Sequence, residues 1–125
     1  MVAGAADVAY SRNGNVSEEQ QVPKGYVILT ETIHDPAGMA AYSRLSGASL
    51  AEYGGRVLAV DDDVDVIEGS WPGRRTIVIE YESVEKAQDW YRSASYQAAL
   101  PLRQAAADCN VIIASGFTPR AATPR

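Results

Sequence analysis

The stretch Tyr26-Val27-Ile28-Leu29-Thr30-Glu31-Thr32-Ile33-His34-Asp35-Pro36 decides the fold. Its first four residues are apolar at consecutive positions and its threonines extend a β-branched pattern, so the stretch predicts a strand over Tyr26 to Ile33. Asp35-Pro36 then marks a helix start. An aspartate can accept from the free amides of a first turn, and proline is tolerated in the first helical position. Met39, Tyr42, Leu45, Leu50 and Tyr53 follow at spacings of about one turn, and Gly54-Gly55 supplies a residue able to end the helix.

Working outward, a second strand is expected over Arg56 to Val60. A third is expected through Val64 to Glu68, broken at Gly69 to Gly73 and resumed over Arg75 to Tyr81. Ser83 can cap a helix that sets Ala87, Trp90 and Tyr91 on one side. Ser93-Ala94-Ser95 interrupts it, and a further helical piece runs from Tyr96 to about Ala107. Pro101 inside that piece predicts a kink or a fresh start near Leu100, because its ring clashes with the preceding turn. A last strand is expected over Asn110 to Ala114.

Strand, helix, strand, strand, helix, strand is the split βαβ order, so the expected class is α+β, a ferredoxin-like βαββαβ with a four-stranded antiparallel sheet. Val27-Ile28-Leu29, Ile77-Val78-Ile79 and Val111-Ile112-Ile113 are uninterrupted apolar cores, which suit strands covered on both faces. Helices cover one face of such a sheet. The other is left for a second copy or a ligand chamber, and a face-to-face homodimer, which supplies both, is expected.

At 125 residues the chain holds one domain. Residues 1–23 and 118–125 lack an apolar period and are expected to be flexible tails around a domain at 24–117. Sixteen acidic against eleven basic residues, a net charge of -5, argue against nucleic acid or an anionic membrane as partner. Cys109 is the single cysteine, which excludes an internal disulfide framework and fits a reducing compartment. No membrane-length apolar run and no secretory signal pattern is visible, so a cytoplasmic protein is expected.

The core resembles the bacterial "domain of unknown function 1330" family, part of the dimeric α+β barrel superfamily. The resemblance is carried by Lys24-Gly25-Tyr26, Asp35 with Tyr42, Tyr53-Gly54-Gly55, Glu68-Gly69, Val78-Ile79-Glu80-Tyr81-Glu82-Ser83, Ala87 with Trp90-Tyr91, Ser93 with Tyr96-Gln97, Arg103 and Gly116. It implies a ferredoxin-like protomer, a barrel-like dimer and a cleft beside each sheet, and no single reaction. Superfamily members include cofactor-free monooxygenases, polyketide cyclases, isomerising enzymes, haem-dependent enzymes and proteins that only bind small molecules. Val60-Asp61-Asp62-Asp63, Met39, Ala94-Ser95 and Pro101 depart from the family pattern and suit a specialised, biosynthetic member.

Several residues could carry chemistry. His34, the only histidine, follows the first strand; histidine serves acid and base work near neutral pH, against the plainer reading of a solvated loop residue. Glu80 interrupts an apolar strand and needs a cation or a wet cleft, with Arg75 and Arg103 as expected partners. Such an arginine could hold a carboxylate or enolate, or the pair could simply fix helix to sheet. Tyr42, Tyr53, Trp90 and Tyr96 could line a cleft for a flat apolar ligand or serve only as packing. Glu68 sits in the hairpin beside Trp71, and both are expected at the ligand. Trp71, between glycines, could act as a lid or equally be a loop residue that packs on the partner chain.

Asp61-Asp62-Asp63-Val64-Asp65 lacks the glycine and distal glutamate of a calcium loop and reads as a solvated turn rather than a metal site. Cys109 reads as a small buried hydrophobe. No bound cofactor and no metal are expected. The favoured function is a cofactor-independent enzyme on a small aromatic or polyketide-like molecule, of the cyclase, isomerase or monooxygenase type. His34 or Glu80 would move the proton and Arg75 or Arg103 would hold the anion. A non-catalytic small-molecule binder and a dimeric interaction module are the alternatives.

Overall fold

In the computed structural model, which describes residues 22–119, the chain runs β1 (Gly25–Ile33), α1 (Pro36–Glu52), β2 (Arg56–Asp61), β3 (Arg75–Tyr81), α2 (Val84–Arg92), α3 (Ala94–Ala106) and β4 (Ala107–Ser115). The strands form one antiparallel sheet in the order β2-β3-β1-β4, the ferredoxin-like arrangement expected from the element order. Residues 24–116 make up the compact unit. The expected tails at 1–23 and 118–125 lie outside the described residues except for 22–23 and 118–119. No helix among the described residues is long and apolar enough to cross a membrane.

Short polar side chains set the helix ends. Asp35 caps α1 by accepting from the Gly38 amide at 3.2 Å, with Pro36 in the first position, and Gly54 takes a φ of 72° just past the helix. Ser83 caps α2 through the Lys86 amide. Ser93 closes one helix and opens the next. Its hydroxyl donates to the Trp90 carbonyl at 2.7 Å and accepts from the Tyr96 amide at 3.1 Å. Gly25 admits no side chain, because a Cβ there would sit 2.4 Å from the Ser83 carbonyl oxygen.

Two expectations are corrected. Val64 to Glu68 is not a strand. Only the Val64 amide reaches back across the hairpin, to the Arg74 carbonyl, and Ile67 stands 84% exposed, so a strand here would have no partner ladder. Nor does the last helix start afresh near Leu100. The new start is at Ser93, and α3 continues through Pro101. Ala99, Leu100, Arg103 and Ala106 are all buried around the proline, and this tertiary packing offsets the roughly 3 kcal/mol that an interior proline costs a helix.

The core lies between the sheet and the helices. Odd-numbered residues of β1 and β3 face the helices, and Val27, Leu29, Ile79 and Tyr81 are buried there. Trp90 is the hub, with ring centroids 4.2 Å from Tyr96 and 5.5 Å from Tyr81. Even-numbered residues form the opposite face, which no helix among the described residues covers. There Tyr26, Ile28 and Val78 are half-buried and Ile112 is 57% exposed.

Ser49 holds α1 to the hub. It is fully buried, accepts from Trp90 Nε1 at 3.1 Å and donates to the Ser46 carbonyl at 2.8 Å. Ser49→Ala leaves a buried indole N–H unsatisfied, and denaturant unfolding is expected to show a loss of about 1–3 kcal/mol.

Candidate functional site

A large cavity lies between α1, the ends of β1 and β3 and the loop 62–74. It measures about 830 Å³ and is lined by Glu31, Thr32, Ile33, Met39, Ser43, Trp71 and Arg75 among others. A smaller compartment of about 230 Å³ continues beneath α1, walled by Leu29, Tyr42, Leu50, Val57, Ile77 and Trp90. Glu31, Met39, Ser43 and Arg75 line both and mark their junction.

At that junction stands an ion pair. Glu31 falls in phase with Val27 and Leu29 on the helix-facing side of β1, and its side chain is wholly shielded from solvent. Directly across the ladder is Arg75, whose Nε donates to Glu31 Oε1 at 3.0 Å. The same guanidinium reaches out through its NH1 to Asp62 in the loop. Cys109, opposite Glu31 on β4, points its sulfur at Glu31 Oε2 from 3.8 Å. Burial pushes the Cys109 thiol up from its ordinary value against the opposing pull of Arg103.

The loop is tied down by neighbouring contacts. Arg74 pairs with Asp63 at 2.8 Å, Trp71 Nε1 donates to Thr76 at 3.0 Å, and Asp61 accepts from the Asp63 amide. The acidic run is solvent-exposed, as expected of a solvated turn, and two of its carboxylates also pair with arginines, Asp62 with Arg75 and Asp63 with Arg74. Among the described residues no group of three or more histidine, cysteine or acidic side chains is placed to hold a metal ion.

The residues singled out in the sequence separate into groups. Arg75, Tyr42, Trp71 and Trp90 line the two compartments. Tyr96 and Arg103 lie behind them in the core, where the Tyr96 hydroxyl is 2.9 Å from that of Tyr42. Burial, chiefly, and Tyr96 push the Tyr42 phenol up from its ordinary value.

Glu80 is elsewhere, and its expected pairing with Arg75 or Arg103 is corrected. It projects on the uncovered face, accepting from Arg56 NH2 and from the Tyr26 hydroxyl, each at 3.0 Å. Period-two alternation explains the outcome, since Glu80 lies between Ile79 and Tyr81, which both point inward. The hydrogen bond to Glu80 raises the Tyr26 phenol above its ordinary value. With Lys24, Tyr53 and Lys86, Glu80 borders a separate polar depression of about 460 Å³.

His34 is half-exposed, with Nε2 4.0 Å from Asp108, and it lines none of these cavities. Glu68 is exposed and also lines none of them. Glu31 is the residue that the sequence reading passed over. Its signal was there, because a charged residue two positions beyond Leu29 in the buried phase must find a partner.

Breaking this pair should be costly from one side. Arg75→Met strands the Glu31 carboxylate in a site without solvent access, and its thermal and denaturant unfolding are expected to show a loss of about 3 kcal/mol or more.

The solved structures that resemble the chain agree on its fold. RPA0582 of Rhodopseudomonas palustris, a protein of unknown function, is 23% identical with a TM-score of 0.63, over 78% of this chain and 85% of that one. SnoaB, a cofactor-independent oxygenase from Streptomyces nogalater, is 13% identical with a TM-score of 0.56, over 83% of this chain and 100% of that one. A dimeric protein of unknown function and ferredoxin-like fold from Bacteroides fragilis is 9% identical with a TM-score of 0.50, over 74% and 95%. No curated protein matches the chain. The model of the "Domain of unknown function (DUF1330)" family matches residues 24–117, the whole packed unit, and the chain belongs to that family.

Proposed function

We propose that this chain is a homodimeric, cofactor-independent enzyme that acts on a small aromatic or polyketide-like molecule in the cleft under α1, by cyclase, isomerase or monooxygenase chemistry. The observation that carries the reading is the Glu31–Arg75 pair at the junction of two cavities, the larger of about 830 Å³. A carboxylate shielded from water beside an apolar cavity is suited to take a proton from a carbon acid or phenol. The adjacent guanidinium is suited to offset the charge of the enolate or phenolate left behind. Met39, Ile33 and Trp71 offer apolar walls to a flat ligand.

His34 and Glu80, the acid and base expected from the sequence, drop out of this scheme because both lie away from the cleft. The resemblance in fold to SnoaB is consistent with chemistry that needs no cofactor, and carries no substrate with it. The dimer is supported by the uncovered sheet face, where Ile28, Val78 and Ile112 would be shielded by a second copy. The Bacteroides relative, whose fold the chain shares, is itself dimeric.

One observation favours non-catalytic binding instead. Arg75 and Cys109 occupy both oxygens of Glu31, so the cleft can hold a ligand without a free base in it. An interaction module with no ligand is weighed down by the size of the open cavity.

Native mass spectrometry of the full chain with a panel of polycyclic phenols tests these readings together. The expected species is a dimer with one ligand per chain, and an empty or monomeric protein across the panel would contradict it. Glu31→Gln then separates the two functions. Ligand retained with turnover lost assigns an enzyme, whereas a wild-type protein that binds and never converts any ligand assigns a binder.

A further inference from the structure

The guanidinium of Arg75 is held by two carboxylates of opposite character. Glu31 accepts from Nε, and its side chain is wholly shielded from solvent. Asp62 accepts from NH1 out of the loop, and its side chain is 77% exposed. All three residues line the outer cavity, and Arg75 and Glu31 line the inner one as well. A guanidinium has five N–H groups, and among the described residues only these two acceptors meet those of Arg75.

The two contacts are not equally permanent. Glu31 cannot give up its cation without standing charged in a site closed to water. Asp62 is already hydrated, and an exposed carboxylate gains little from an ion pair because water solvates its charge anyway. Its departure leaves the loop fastened, since the Arg74–Asp63 pair and the bond from Trp71 to Thr76 do not involve it. Gly73, with a φ of 103°, also keeps the loop against β1, where a Cβ would lie 2.9 Å from the Glu31 carbonyl oxygen.

We propose that Asp62 is a removable internal counter-ion on Arg75, standing where the cleft takes the carboxylate of an aryl carboxylate ligand. The ligand's acid group replaces Asp62 on the guanidinium, and its rings lie in the outer cavity against Ile33, Met39 and Trp71. The proposal deepens the cleft reading above and rests on it for the cleft being a ligand site. The exchange trades one charge-assisted hydrogen bond for another of the same kind and leaves the bond from Nε to Glu31 as it is. Net affinity then comes from the apolar body that the incoming carboxylate carries and Asp62 lacks. The chain's own contact shows the group that fits, a carboxylate reaching this nitrogen from the cavity wall.

Two probes that share a ring system and differ in charge test the proposal on the full chain. 2-Naphthoate and 2-naphthamide are titrated by ligand-observed NMR into wild type, Asp62→Asn and Asp65→Asn, and the ratio of acid to amide affinity is compared, so that ring packing cancels. Asp62→Asn removes the competitor and is expected to raise the ratio about tenfold, the equivalent of about 1.4 kcal/mol. Asp65→Asn deletes the same charge from the same exposed run, at a residue with no ion pair among the described residues. It is expected to leave the ratio within about twofold at physiological salt, where exposed charges are screened.

A ratio unchanged in Asp62→Asn, or raised equally in both variants, would overturn the proposal, and binding of the amide to all three forms would then leave the cleft reading standing without it. No binding of either probe to any form would remove both. A rise confined to Asp62→Asn, when no polycyclic phenol is retained, would keep the carboxylate position on Arg75 and remove the phenol reading.

Discussion

The structure depends on how a glutamate is kept inside the protein. Glu31 lies in the inward phase of the central strand, where the residues before it are Val27 and Leu29, and burying a carboxylate there is tolerable only with a cation at hand. Antiparallel register supplies it, setting Arg75 directly opposite. Arg75 is in turn held from outside by Asp62, so the loop between β2 and β3 is fastened to the same point that fixes the two central strands. A slip of one residue in that register would set the two charges on opposite faces of the sheet.

The consequences reach the helices. The pair stands at the end of the sheet near α1, where two adjoining cavities share Glu31, Met39, Ser43 and Arg75 as walls. Farther along, the aromatic cluster around Trp90 closes the core, with Ser49 clamping α1 to it. The cleft is thus bounded by a charged end and an aromatic end. That gradient is what a ligand with one polar oxygen on a flat apolar body would match.

Local signals made the fold legible. Asp35-Pro36, Ser83 and Ser93 each perform a cap whose chemistry is contained within a few residues, and apolar, β-branched runs located β1, β3 and β4. The failures were of a different kind. Val64 to Glu68 has the composition of a strand and no neighbour to pair with, which no local pattern can reveal. Pro101 breaks isolated helices, and here the burial of its neighbours against the rest of the core prevails.

The site was legible only in part, because partnership across a sheet depends on register. Glu80 was paired in expectation with Arg75 when the ladder gives that arginine to Glu31 and gives Arg56 to Glu80. Tyr42, Trp90 and Tyr96 were found because their bulk favours burial, whereas Trp71 stays 48% exposed in its loop. The measurement that tests the account most directly is a backbone and side-chain NMR titration of the full chain with a polycyclic phenol. Perturbations centred on Met39, Ser43, Trp71 and Arg75 are predicted; perturbations centred on Lys24, Arg56, Glu80 and Lys86 instead would contradict the placement of the ligand site.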